Sequence, residues 1–128
     1  MTVCSPMKVD AIQVVVVDAV EDFGDALAAV LRLRGCIVRT ACTAEDALAL
    51  IEQDQPHCVL FDVVMQGMGG DELCQRLRAR HGDDIVLIAM SGASKEDRRV
   101  RTSFALADHF FTKPVDPAAI ASILAPLR

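Results

Sequence analysis

The 128-residue sequence has no uninterrupted apolar stretch approaching the roughly 18 residues that a membrane helix needs. Asp10, Asp18, Asp62 and Ser91 break its longest runs. It does not open with a basic start, an apolar segment and a small-residue cleavage site, so no secretory signal is readable and a cytoplasmic location with no membrane partner is expected. Basic residues are scarce: thirteen stand against eighteen acidic ones, and the net charge of -5 argues against direct, nonspecific binding to nucleic acid or anionic membranes. No C-x-x-C pair occurs among Cys4, Cys36, Cys42, Cys58 and Cys74. Their odd number, with Cys36 and Cys58 inside apolar runs, points to reduced and mostly buried thiols. Linkers, low-complexity tracts and internal repeats are also lacking, which excludes a disordered chain or an array.

What is present suits one domain with a real core: 52% of the residues are hydrophobic and 24% charged. Residues 1–11 show no periodicity and are expected to be a flexible N-terminal tail, with the domain running from 12 to 128. From there apolar runs alternate with amphipathic stretches. Phe23, Leu27, Val30 and Leu31 recur at helical spacing, and Gly35 stops that helix. The run from Cys36 to Ala41 alternates with Arg39 and Thr40, as on a sheet edge. Thr43 with Asp46 opens a second helix carrying Ala44, Ala47, Leu48 and Ile51. A third follows a Gly-rich loop, with Leu73, Cys74 and Leu77 inward and Arg76, Arg78 and Arg80 mostly outward. Ser94 is the expected cap of a fourth, whose seam is Val100 and Phe104. Asp116-Pro117 starts a fifth, with Ile120, Ile123, Leu124 and Leu127 as its buried stripe.

Strict βα alternation implies an α/β fold: a doubly wound (βα)5 five-stranded parallel sheet. Three strands are apolar on both faces and two look like edges, which the order 2-1-3-4-5 satisfies. Each of four runs ends in one polar residue: Asp18, Asp62, Ser91 and Lys113. In such sheets ligands bind at the carboxyl ends of the strands, near the switch point between strands one and three. Asp18 and Asp62 end those two strands.

With V-V-V-V-D-A-V-E-D, V-L-F-D-V-V-M-Q-G-M-G-G, I-A-M-S-G-A and F-F-T-K-P-V-D-P in order, residues 12 to 127 resemble a receiver domain of two-component response regulators, which has a flavodoxin-like fold. The resemblance implies that Asp62 is the phosphoacceptor, receiving its phosphoryl group from a sensor histidine kinase or phosphotransfer protein. Lys113 would pair with the phosphoryl oxygens, and the Lys113-Pro114 bond would be cis. Ser91 would bind a phosphoryl oxygen after modification, and Phe110 would be the aromatic switch. The output would pass to a downstream protein through the surface of the fourth helix, fifth strand and fifth helix, where Lys95, Arg98, Arg99 and Arg101 cluster.

One departure bears on chemistry. The family's second acid after strand one, normally a Mg²⁺ ligand, is Ala19 here. Asp18, Asp62 and the backbone carbonyl of Val64 would leave a weakened metal site, and Glu21 or Asp22 is the nearest substitute. The alternative function is therefore a pseudo-receiver, a binding module that works without phosphorylation. Enzymes on this fold fit less well. An Asp62-nucleophile phosphatase needs an acid where Val64 stands, and a nucleotide or flavin site needs a Gly-rich loop where the acidic Asp18 to Asp22 segment lies.

Overall fold

A computed structural model describes residues 11–92 and 96–127. The strands are β1 (Gln13–Val17), β2 (Ile37–Ala41), β3 (Cys58–Asp62), β4 (Val86–Ser91) and β5 (His109–Thr112). The helices are α1 (Glu21–Leu33), α2 (Ala44–Gln53), α3 (Gly70–His81), α4 (Arg98–Leu106) and α5 (Pro117–Leu124), followed by a 3-10 turn, Ala125–Leu127. All pairings are parallel and the strand order is β2-β1-β3-β4-β5, as the apolar pattern predicted. Residues 1–10 of the expected tail and the expected Ser94 cap fall outside the described residues, as does Lys95.

Strand periodicity divides the core into two layers. Val15, Val17, Val59, Phe61, Leu87 and Ala89 point to one face and pack under α2, α3 and α4. Val14, Val16, Cys58, Leu60, Ile88 and Met90 point to the other and pack under α1 and α5. Every residue of β3 is buried, so an apolar residue is needed on both faces, and each full-sized one contributes about 1.5–3 kcal/mol. At the edges β2 exposes Ile37 and Thr40, and β5 exposes His109 and Thr112.

Helix ends follow local chemistry. Thr43 Oγ1 accepts a hydrogen bond from the Asp46 amide (3.1 Å), and Asp116 Oδ1 accepts one from Ala118 (3.0 Å) with Pro117 in the first turn. Gly35 follows α1 with a φ of 94°, the left-handed conformation that ends the helix. The cap of α4 is Asp97, whose carboxylate accepts from Arg99 N at 2.8 Å.

Three amphipathic readings need correction. On α1 Leu31 is buried and Leu27 packs against the core as read, but Gly24 and Ala28 complete the buried seam and Phe23 is 62% exposed. Gly24 faces Val16 and the Asp18 side chain, so the small residues face the sheet there and the large ones sit beside them. On α4 Val100 and Ser103 are buried and Phe104 is 65% exposed, its ring 5.6 Å from that of Phe110. On α3 Arg78 does not face solvent. It donates to the carbonyls of Leu106, Gly82 and Ile85 and pairs with Asp108 at 2.8 Å.

That guanidinium ties the end of α3 to the start of β4 and the end of α4. Arg78→Ala leaves three carbonyls without this donor and is expected to lower the unfolding free energy by about 2–3 kcal/mol, read as a fall in the urea midpoint at unchanged slope. A change below about 0.5 kcal/mol would show that water replaces the arginine at no cost.

Candidate functional site

The site arises from strand register. Val17 pairs with both Phe61 and Ala41, so Asp18 and Asp62 leave β1 and β3 side by side at the carboxyl edge. Asp62 pairs with Met90 and Ser91 with Thr112, which brings Ser91 and then Lys113 to the same edge. The Lys113 amide donates to the Ser91 carbonyl at 3.0 Å, fastening β5 to β4 at that point. The Lys113-Pro114 peptide is cis, as the resemblance implied.

Lys113 Nζ lies 3.0 Å from Asp18 Oδ2 and 3.2 Å from Asp62 Oδ2. The other oxygens are held by the backbone: Asp18 Oδ1 accepts from Val20 N at 2.9 Å, and Asp62 Oδ1 from Val64 N at 3.3 Å. Both carboxylates are buried, and Ser91 is buried beside them. Burial raises the Asp62 pKa above its usual 3.8, Lys113 and the Val64 N–H oppose the rise, and Asp18 adds to it. For Lys113 burial acts downward, but the hydrogen bonds and charges of Asp18 and Asp62 outweigh it and raise the pKa above 10.5.

The sign for Asp62 yields a testable pH dependence. The folded protein holds the Asp62 proton more tightly than the unfolded chain, so stability falls as pH rises from 3.8 through the folded-state value. Asp62→Asn, uncharged throughout, is expected to be more stable than the wild type at neutral pH and to lose that advantage as the pH falls toward 3.8. Urea titrations at several pH values measure it, and a pH-independent difference would refute it.

Of the residues expected here, Asp18, Asp62, Ser91 and Lys113 come together at one edge. Phe110 lies further back on β5, half-buried against the core layer under α4. Sequence reasoning missed Gly70, the first residue of α3, whose amide donates to Val63 O at 2.8 Å. Its place beside Gly69, just before a helix, was the available signal.

The metal expected from the resemblance finds a poor donor set. Ala19 is exposed and supplies no ligand atom, and Glu21 and Asp22 are exposed in the first turn of α1. All four oxygens of Asp18 and Asp62 already accept hydrogen bonds from Lys113, Val20 or Val64. Among the described residues no group of three or more Asp, Glu, His or Cys side chains is placed to hold a metal ion. Mg²⁺ requires hard oxygen ligands in a strict octahedron, and two carboxylates without a third acid supply that set only in part.

Comparison with known proteins agrees with the geometry. The family model described as the response regulator receiver domain matches residues 14–125. An uncharacterized 14.6 kDa protein of Leptolyngbya boryana is 34% identical over 115 residues, covering 87% of this chain and 86% of that one. The response regulator MprA of Mycolicibacterium vanbaalenii is 32% identical over 117 residues, covering 91% of this chain but only 49% of the relative, so the chain spans about half the length of that protein. The crystal structure of a CheY-like response regulator receiver domain protein from Methanospirillum hungatei superposes with a TM-score of 0.83 at 25% identity, over 92% of this chain and 94% of that one. The buried Asp18-Lys113-Asp62 cluster at the end of a 2-1-3-4-5 sheet and the match over residues 14–125 lead to one conclusion: the chain belongs to the response regulator receiver domain family.

Proposed function

We propose that Asp62 accepts a phosphoryl group from a phosphohistidine on a sensor histidine kinase or phosphotransfer protein, and that the modified domain acts on a downstream protein. The observation carrying this reading is Lys113 Nζ within 3.2 Å of Asp62 Oδ2, at a strand end that also holds Ser91. In the transfer an Asp62 oxygen attacks phosphorus while the P–N bond breaks, its electron pair leaving on the imidazole. Such a transfer needs cations near the equatorial oxygens, and Lys113 supplies one as a point charge. Ser91 then donates its hydroxyl to a phosphoryl oxygen.

The readout surface is α4, β5 and α5. Arg98, Arg99 and Arg101 are exposed on α4, and the Phe104 ring lies 5.6 Å from that of Phe110. In this reading a change at Ser91 after modification is passed to the Phe110 ring. Receiver domains generally bind Mg²⁺ at the phosphorylation site. Here Asp18, Asp62 and the Val64 carbonyl form a weakened site at best, for lack of an acid at Ala19. The same gap favours a second reading, a pseudo-receiver that binds its partner without being phosphorylated.

Intact mass after incubation with a small-molecule phosphodonor separates the two. One phosphoryl adduct on the wild type and none on Asp62→Asn is the expected result. An adduct only after Ala19→Asp would transfer support to the pseudo-receiver.

A further inference from the structure

A groove of about 490 Å³ opens between α1 and α5, directly beside the acidic cluster. Its walls are apolar, formed by Phe23, Leu27 and Val30 of α1, Met90 of β4, and Pro114 and Val115 after β5. Asp18 and Lys113 close its polar end. The volume lies in the range of small-molecule sites, and an apolar body with a few convergent polar groups is their usual construction. We propose that this groove binds a small organic monocation, an amine carrying an apolar body, with its ammonium at the Asp18 end and its body against Phe23.

Charge decides the sign of the ligand. Asp18 and Asp62 carry two negative charges and Lys113 one positive, so the cluster retains a net negative charge when both carboxylates are ionised. Lys113 is the sole cationic side chain among the described residues lining the groove. An anionic ligand would have to draw Lys113 away from two buried carboxylates, which desolvation makes costly. A cation adds to the cluster without breaking either pair. Exposed Glu21, Asp22 and Asp25 on the same helix raise the local concentration of cations further.

Phe23 supplies the second determinant. Phe23 is 62% exposed beside the buried Gly24, Ala28 and Leu31 seam of α1, and Lys113 Nζ lies 5.8 Å from its ring centroid. The ring therefore already faces one cation. A bound ammonium near the same ring gains cation–π attraction while its body covers exposed apolar surface. A divalent metal fits this edge poorly for want of hard ligands. An organic monocation needs no octahedron, only one net negative charge and an apolar wall.

The inference does not depend on Asp62 being phosphorylated, and its test involves no phosphodonor. The ¹⁵N-labelled wild-type protein is titrated with 4-phenylbutylamine, 4-phenylbutanol and 4-phenylbutyrate, which share one carbon body and differ in charge. Amide shift changes concentrated at Phe23, Leu27, Val30 and Val115 are expected for the amine, with a Kd at least about tenfold lower than for the alcohol and no binding by the carboxylate. Phe23→Ala, at an exposed position where the fold is not at risk, is expected to weaken the amine about tenfold or more while leaving distant amide shifts unchanged. Equal affinities for amine and alcohol would overturn the charge argument. No shift changes up to about 10 mM amine, or undiminished binding by Phe23→Ala, would overturn the site itself.

Discussion

Ala19→Asp is expected to raise Mg²⁺ affinity by at least about 10- to 100-fold, the range that loss of even a supporting partner costs at metal sites. The substitution adds a carboxylate next to Asp18, at an exposed position where no packing must change. It also adds a third negative charge to a cluster balanced by one ammonium, so without metal the variant is expected to be less stable than the wild type. Addition of Mg²⁺ reverses that order, because ligand binding to the folded state adds stability as RT ln(1 + [L]/Kd). Calorimetric titration with Mg²⁺ and thermal unfolding in Mg²⁺ or a chelator read the two effects separately. If the wild type binds Mg²⁺ as tightly as Ala19→Asp, two carboxylates and backbone oxygen suffice, and the missing acid loses its meaning for the site.

Gly70→Ala is expected to be the most damaging single-carbon change near the site, costing about 3 kcal/mol or more through overpacking. A Cβ at Gly70 would sit 2.7 Å from Val63 Cα and 2.8 Å from Phe61 Cδ2, and also against the Asp62 carbonyl oxygen. Backbone cannot yield as a flexible side chain does, so α3 must move away from the end of β3. Asp62 stands at that end, and its 3.2 Å contact with Lys113 moves with it. Gly69 is the internal control. A Cβ there meets Asp71 Oδ1 at 2.6 Å, the end of a mobile side chain, and its φ of -77° suits any residue. Gly69→Ala is expected to cost under about 1 kcal/mol, as the loss of a glycine cap usually does. Urea denaturation of both variants measures the contrast, and equal costs would place the constraint in the cap and not in the approach of α3 to β3.

Much of the site was legible because strand ends are marked in the chain by a change from apolar to polar residues. Asp18, Asp62, Ser91 and Lys113 each close such a run, and the register brings them to one edge. The layers of the core were legible for the same reason, since period two along a strand assigns Val14 and Val16 to one side and Val15 and Val17 to the other. Helix faces were read less well. Hydrophobic periodicity names the large apolar residues, but in the first half of α1 the buried positions are Gly24 and Ala28, before Leu31, and Phe23 lies at the groove. On α4 Ser103 takes the inward position, and Phe104 is left over the Phe110 ring.

By itself the sequence determined the (βα)5 order, the edge and central strands, the four polar residues at the strand ends and the gap at Ala19, because these depend on local patterning and covalent order. Tertiary structure alone decided where each charge found its partner. Lys113 lies ninety-five positions from Asp18 and fifty-one from Asp62, and their hydrogen bonds exist only because strand register overrides that separation. Arg78 turned inward for the same kind of reason: the carbonyls of Leu106, Gly82 and Ile85 converge on it only once α3, β4 and α4 are packed. The groove beside Phe23 is likewise a product of two helices far apart in the chain, joined by no pattern along it.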